Sequence, residues 1–264
     1  MSMNFTKEDC KKLIIVMLLT DGCVGEVNQG KYVYTKISYW SKDKILKNTF
    51  IKLMKIAFNF NPSHIGKEEV YFKRKNETAK IMSELRRISR DLNKQSDKVS
   101  LNFLRLSNRN VILYALRLAM SGEGSISFAR RKSGGFCFNL AFACANYKLC
   151  NEWQKLFDIF EIYLKIRKDA AVYSGYHGLQ TVSEKSILNF HKIGGFINDV
   201  KVQKGRRFRN FDKNYVLGIC AKVINKKHKG EFKGYTKWTD EVFWNAVDDA
   251  EVPKLGQRGK TQVI

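Results

Sequence analysis

Two apolar segments of the chain each end in an acidic residue followed by glycine. They lie 102 positions apart, at Asp21-Gly22 and Glu123-Gly124. The stretch from Leu13 to Leu19 has almost no polar face, and a helix that is apolar all round is buried. Residues 108–120 have the same character. Two buried helices at a fixed interval predict a duplicated unit.

The elements around the two helices follow in the same order. The first copy shows a helix over 6–20, a hairpin over 23–40, a helix over about 42–58, a strand pair near 64–75 and a helix over about 76–88. The second shows a helix over 108–120, strands over 125–131 and 136–144, a helix over about 147–163, and a strand at 178–182 before a helix over about 184–193. The order αββαββα, present twice, predicts an α+β fold. We place the two repeats at 6–100 and 101–200, followed over 201–264 by a basic extension and a C-terminal helix that packs back on the body.

The charge of the chain indicates a polyanionic partner. Lysine and arginine number 48 against 25 acidic residues, a formal net charge of +23. Such an excess opposes compaction by self-repulsion, so it is usually retained for binding a polyanion. Nucleic acid is the leading candidate for this partner, and an anionic membrane surface is the weaker one. The apolar runs are much shorter than the roughly 20 residues of a spanning helix. The six cysteines form no CxxC pair and the four histidines are scattered, which favours reduced cysteines in an intracellular protein, cytoplasmic or organellar, over a structural zinc site.

The acidic residues at the two helix ends are the main candidates for chemistry. A carboxylate just past a helix C-terminus is unfavourable, because the helix dipole already places partial negative charge there. If the helices pack side by side, Asp21 and Glu123 meet and repel each other unless a divalent cation lies between them. Oxygen ligands of this kind suit magnesium. Either acid alone is most simply a helix-ending turn, with Gly22 as a helix stop.

At these residues the chain resembles a known family. Segments 14–22 and 116–124 look like two divergent copies of the LAGLIDADG motif, and the resemblance covers roughly residues 6–200. It implies a monomeric, single-chain homing endonuclease that makes a magnesium-dependent double-strand break at a long asymmetric target during intron homing. Asp21 and Glu123 fall on the motif's acidic position and would share two or more ions, with Gly22 and Gly122 as further candidates for the metal site. The resemblance also implies a saddle of two four-stranded sheets in adjacent major grooves.

The resemblance extends to supporting residues, for which solvated surface side chains are the alternative interpretation. A lysine near the phosphate is implied, and Lys75 and Lys185 occupy strand-to-helix junctions in the two halves. DNA contacts are expected from alternating strand side chains and from basic residues. The candidates are Lys31, Tyr32, Tyr34, Lys36, Ser38 and Trp40 in the first half, Ser127, Arg130, Arg131, Lys132 and Asn139 in the second, and Lys204, Arg206, Arg207 and Arg209 in the extension.

Two other functions compete with cleavage. A non-cleaving nucleic-acid-binding protein of the same fold, such as an intron maturase that binds RNA or a regulator, would show the same repeat and charge. A basic structural protein is the other alternative, and two buried helices that end in acids argue against it. The sequence has no nucleotide-binding glycine loop and no nucleophile triad.

Overall fold

The computed structural model describes residues 5–30, 32–130, 136–144, 146–168, 177–203, 207–231 and 240–251. The helices are α1 (Lys7–Leu19), α2 (Lys44–Phe58), α3 (Lys75–Ile88), α4 (Asn102–Arg105), α5 (Arg109–Glu123), α6 (Tyr147–Asp158), α7 (Glu184–Lys192), α8 (Lys213–His228) and α9 (Asp240–Glu251). The strands are β1 (Gly22–Gln29), β2 (Tyr32–Trp40), β3 (His64–Ile65), β4 (Glu69–Phe72), β5 (Gly124–Arg130), β6 (Phe136–Cys144), β7 (Lys165–Lys168) and β8 (His177–Thr181).

The strands form two antiparallel sheets of identical topology. Their orders are β1-β2-β4-β3 and β5-β6-β8-β7, so each is a hairpin extended by a second strand pair. The residue after each acid holds the same register position, since Gly22 pairs with Tyr39 and Gly124 pairs with Phe142. The prediction of a duplicated α+β unit is therefore confirmed. The limits at 6–100, 101–200 and 201–264 stay a prediction.

The two motif helices are fixed at their starts by caps and along their length by burial. Thr6 and Asp9 form a reciprocal capping box on α1, with both backbone bonds at 3.1 Å. Asn108 caps α5 by accepting a hydrogen bond from the Val111 backbone N–H. The two helices pack against each other. The bulky side chain of Arg117 on α5 does not prevent this contact, because its guanidinium donates to the Phe196 carbonyl at 2.8 Å.

Three expectations about helix ends need correction. Helix α5 continues to Glu123, so this acid is the last helical residue, whereas Asp21 follows the end of α1. Helix α6 ends at Asp158, well before residue 163, and the chain then turns at Glu161 with φ 55°. Gly22 is not a left-handed helix stop. It opens β1, and a Cβ there would lie 2.4 Å from the Leu18 Cα, so glycine is needed for close approach of the backbone.

The segment after the second repeat contains an unpredicted helix, α8, which packs on α7. The predicted C-terminal helix is present as α9, which packs on α8. Phe243 on α9 lies 5.5 Å from Phe128 and 5.3 Å from Phe138 between ring centroids, so the extension covers the β5–β6 hairpin. Within the described part of the chain, the length and apolar character needed to cross a membrane are found in none of the helices.

Candidate active site

Asp21 and Glu123 come together where α1 and α5 end. The two carboxyl groups lie close enough for each to affect the pKa of the other. The α5 backbone lies close to the Asp21 side chain: a Cβ added to Gly122 would be 3.1 Å from the Asp21 Oδ2. Two acids more than 100 positions apart in the chain thus share one site, as their matched sequence context predicts. Their role as metal ligands, with Gly22 and Gly122 beside them, stays a prediction.

The environment of the pair disfavours two negative charges. Burial raises the pKa of Asp21, against a smaller opposing effect of Lys94. Burial first, and then the charge of Asp21, raises the pKa of Glu123 to about 7. The same charges act on Tyr39, whose pKa is raised by burial and by Asp21 and Glu123. A second negative charge is therefore unfavourable in this site at neutral pH, and a bound cation would relieve that cost.

Two lysines hold the helix ends from which these acids project. The Nζ of Lys94 donates to the Thr20 carbonyl at the end of α1 and lies 4.0 Å from the Glu123 Oε1. The Nζ of Lys213 donates to the Ser121 and Gly124 carbonyls at the end of α5, both at 2.8 Å. Only 7% of Lys213 is exposed, and burial lowers its pKa to about 8. Lys94 comes from the irregular segment that follows α3, and Lys213 is the first residue of α8.

A cavity lies on each side of the acid pair. The first-half cavity, of about 510 Å³, is bounded by Asp21, the end of β2 and the extension; among its lining residues are Ser41, Lys42, Asp43, Lys201, Arg209 and Lys213. The second-half cavity, of about 270 Å³, is bounded by the acid pair and the end of β6; its lining includes Lys94, Phe142, Ala143, Cys144 and Trp153. Each cavity is large enough for a small group such as a phosphate and several waters.

The carboxylate oxygens of the site fit a hard divalent cation whose remaining ligands come from the substrate and from water. In the described ranges, no group of three or more His, Cys, Asp or Glu residues is placed to hold a metal ion. The site therefore offers two carboxylates, short of a full set of protein ligands. Mg²⁺ is usually held by one or two carboxylates together with waters and substrate phosphates.

The outward face of the first sheet carries most of the first-half residues expected to contact DNA. Tyr34, Lys36 and Trp40 alternate with the buried Thr35, Ile37 and Tyr39. Lys36 already has partners on this face, because its Nζ lies 2.6 Å from the Glu69 Oε1 and 4.5 Å from the Tyr71 ring centroid. Ser38 points the same way but is only 4% exposed.

In the second sheet, Ser127 pairs with Asn139 on adjacent strands, and both are partly exposed. The Asn139 Oδ1 is buried and has no hydrogen-bond partner among the described residues. In the extension, Arg209 lines the first-half cavity. Arg207 is instead bound to α9, through Asp248 and through the Trp244 ring at 4.7 Å.

Some candidates are not brought to this site or lie outside what the structure describes. The Nζ of Lys185 on α7 forms an exposed ion pair with the Glu161 Oε2 at 3.0 Å and lines neither cavity. For Lys75, Tyr32 and Arg130 only the backbone is described. The candidates outside the described residues are Lys31, Arg131, Lys132, Lys204 and Arg206.

Sequence reasoning missed Lys94, Lys213 and Asp43. One signal for Lys213 was available: it occupies a buried position at helical spacing with Val216, Leu217 and Cys220, where a charged residue needs a specific partner. No comparable pattern marks Lys94, which lies in an irregular segment.

Comparisons with known proteins relate this geometry to solved structures. No protein-family model matches the sequence, and no curated protein matches it. A mutant form of I-SmaMI matches with a TM-score of 0.52 at 11% identity, over 94% of this chain and 98% of that one. The LAGLIDADG homing endonuclease I-GzeII in complex with its DNA target matches with a TM-score of 0.50 at 12% identity, over 94% and 99%. I-DmoI in complex with DNA and Mn matches with a TM-score of 0.50 at 14% identity, over 71% and 97%. Together with the duplicated topology and the paired helix ends, these similarities show that the chain has the two-repeat fold of LAGLIDADG homing endonucleases.

Proposed function

We propose that the chain is a site-specific DNA endonuclease that hydrolyses both strands of a long asymmetric target as a monomer in intron homing. The observation that carries the proposal is that Asp21 and Glu123, from separate repeats, lie together where α1 and α5 lead into the two four-stranded sheets. A net charge of +23 supports a nucleic-acid partner. I-GzeII and I-DmoI, which share the fold, were solved with DNA.

Asp21 and Glu123 would hold divalent ions, and we propose Mg²⁺. Structures that share the fold include I-DmoI with Mn and with Ca. A bound ion would supply Lewis-acid stabilisation of the phosphate and of the leaving oxygen. The chain's own residues position the site: Lys94 and Lys213 fix the helix ends by binding their carbonyls, so the carboxylates stay close despite their repulsion.

The reaction is hydrolysis of a phosphodiester in each strand. A water oxygen forms a bond to phosphorus, and the bond from phosphorus to one flanking sugar oxygen breaks. The leaving oxygen takes up a proton, and the attacking water releases one to solvent. Positive side chains around each cavity stabilise the charge that develops on the phosphate oxygens.

The test begins with selection of cut sites from a randomised DNA library in Mg²⁺. A plasmid that carries the recovered site is then incubated with Asp21→Asn, and double-strand cleavage is expected to fall by at least about 100-fold. Binding, measured by gel shift, is expected to persist. The matched control is Asp97→Asn, because Asp97 is an exposed aspartate that lines neither cavity.

Cleavage of both strands by Asp21→Asn at the wild-type rate would refute the assignment. Sequence-specific binding without any cut site, in Mg²⁺ or Mn²⁺, would instead favour the non-cleaving alternative. Binding of intron RNA in the same assay would point to a maturase.

A further inference from the structure

The helix after the hairpin of each repeat begins with a side chain that has partners in two places. Asp43 caps α2 and Asn146 caps α6. The two positions are equivalent, because each lies four residues after the strand residue that pairs with the first residue of its hairpin, Tyr39 in β2 and Phe142 in β6. In both cases one side-chain oxygen binds the helix, and the second side-chain atom binds a segment that is distant in the sequence.

Asn146 connects α6 to the segment that carries Lys94. Its Oδ1 accepts a hydrogen bond from the Leu149 backbone N–H at 2.8 Å. Its Nδ2 donates to the Lys94 carbonyl at 2.6 Å and to the Ser96 carbonyl at 3.2 Å. The Nζ of the same lysine lies 4.0 Å from the Glu123 Oε1. Asn146 therefore fixes the backbone from which a cation of the second-half cavity projects.

Asp43 makes the corresponding connection in the first repeat, with the opposite hydrogen-bond polarity. Its Oδ1 accepts the Ile45 backbone N–H at 2.8 Å, and its Oδ2 accepts the Lys201 backbone N–H at 3.0 Å. Only 8% of Asp43 is exposed. Lys201 belongs to the segment between α7 and α8, residues 193–212, which also carries Arg209. Both basic side chains are exposed and line the first-half cavity.

Hydrogen bonds across the segment between α7 and α8 extend the effect of Asp43 beyond one residue. The Val202 N–H donates to the Phe211 carbonyl at 2.8 Å, and the Asn210 N–H donates to the Val202 carbonyl at 2.9 Å. These bonds fix Lys201 and Arg209 relative to each other. A shift of the backbone at Lys201 therefore moves Arg209 as well.

From these contacts, and resting on the proposed endonuclease function, we propose that Asp43 and Asn146 are a pair of positioning residues for DNA cleavage. Each ties the helix beside one cavity to the segment that supplies basic side chains to that cavity. The residue types differ because the segments present different backbone groups, an N–H at Lys201 and carbonyls at Lys94 and Ser96. A displaced cation stabilises the charge on a phosphate less well, so loss of either connection slows cleavage at that cavity.

Exchanging the two residue types separates this connection from the helix cap. Asp43→Asn and Asn146→Asp each keep one oxygen for the helix, and Asn and Asp are about equally good N-caps. The second atom becomes a donor that faces a backbone N–H, or an acceptor that faces carbonyls. The matched controls are Asp212→Asn and Asn108→Asp, at the N-caps of α8 and α5. There the capping bonds go to Oδ1, which both control variants keep.

The cleavage assay uses the full chain and a duplex of the selected target with a different label on each strand. At saturating protein in Mg²⁺, Asp43→Asn is expected to slow the cleavage of one strand by about tenfold, and Asn146→Asp to slow that of the other strand similarly. DNA affinity, measured by gel shift, should change less than the rate, and both controls should cut like the wild type. A merely structural role would lower the Tm but leave the saturated rate of the folded protein unchanged.

Hydrogen exchange of backbone amides, measured without DNA or divalent ions, tests the connections themselves. Exchange should rise by about tenfold over residues 199–203 in Asp43→Asn and over residues 93–97 in Asn146→Asp. Unchanged exchange, unchanged strand rates despite faster exchange, or equal slowing by the controls would overturn the inference and leave the endonuclease proposal intact. Failure of the wild-type protein to cut any selected target would overturn the endonuclease proposal itself and the role in cleavage with it, whereas faster exchange in the variants would still show the two connections.

Discussion

Replacing Glu123 with glutamine is expected to stabilise the metal-free protein at pH 8. The folded protein holds this carboxyl with a pKa near 7, against an ordinary value of 4.5. Each pKa unit corresponds to 1.36 kcal/mol, so ionising Glu123 in the folded state costs at most about 3.4 kcal/mol. Because 26% of the side chain is exposed to solvent, we expect about 1–2 kcal/mol. Glutamine can donate a hydrogen bond to the neighbouring Asp21 and carries no charge.

The effect depends on pH with a defined sign. Between about pH 4.5 and 7 the folded state binds a proton at Glu123 that the unfolded state has released, so the wild-type stability falls as pH rises through this window. Below about pH 4.5 Glu123 is protonated in both the folded and the unfolded protein, so the cost of ionising it no longer lowers the stability of the wild type. The advantage of Glu123→Gln should therefore be greatest at pH 8 and close to zero at pH 4.5.

Thermal unfolding in EDTA, followed by circular dichroism at several pH values, measures this difference. The expected gain corresponds to about 2–8 °C in Tm at pH 8. Glu26→Gln, at an exposed position on β1, is the control. A variant that is less stable than the wild type at pH 8, or equally shifted at pH 4.5 and pH 8, would refute the reasoning. In a second measurement, Mg²⁺ should raise the Tm of the wild-type protein more than that of Glu123→Gln.

The remaining predictions concern the buried lysines, glycines and aromatic contacts that stabilise the site and the neighbouring fold. Lys213→Met should lower the free energy of unfolding by about 1–3 kcal/mol and also slow plasmid cleavage, because two helix-end carbonyls lose their donor. Lys47 is equally buried but binds the Gly66 carbonyl, away from the acids. Lys47→Met should therefore lower stability in urea titrations without changing the cleavage rate of the folded protein. Gly124→Ala should destabilise, since its Cβ would lie 2.5 Å from the Met120 carbonyl oxygen, whereas Gly25→Ala has free space and should be nearly neutral in thermal melts. Phe243→Ala should cost about 3–5 kcal/mol by urea titration, and an unchanged midpoint would show that α9 does not support the β5–β6 hairpin.

The parts of the fold that could be predicted are those encoded locally. Apolar periodicity marks α1 and α5, and alternation marks the strand that carries Tyr34 and Lys36, because helices and strands impose their own spacing on buried residues. The meeting of Asp21 and Glu123 followed from their equal positions in two copies of one unit. The end of α5 was placed too early, because the Ser121-Gly122 sequence is typical of a turn and packing against the neighbouring helix overrides it.

The parts of the site that could not be predicted come from outside the repeated helices and strands. Lys94 lies after α3 and Lys213 begins α8, and both reach the helix ends through long-range packing that no local sequence spacing predicts. Lys185 was selected because it begins a helix at a junction resembling that of Lys75. In the folded chain it pairs with Glu161. A basic chain offers many lysines with the same local context, so position along the sequence does not distinguish a site lysine from a surface one.

The arrangement of charge around the acids explains why the pair remains able to bind a cation. A lysine beside two carboxylates would ordinarily neutralise them, but Lys213 directs its Nζ to the Ser121 and Gly124 carbonyls. Lys94 likewise binds the Thr20 carbonyl and reaches Glu123 only at 4.0 Å. The lysines thus offset the partial negative charge of the helix C-termini. Burial and then the charge of Asp21 still raise the pKa of Glu123, so these lysines do not remove the cost of ionising both acids. The burial and capping of α1 and α5 stabilise the fold enough to offset this cost, so both acids are held in position before an ion binds.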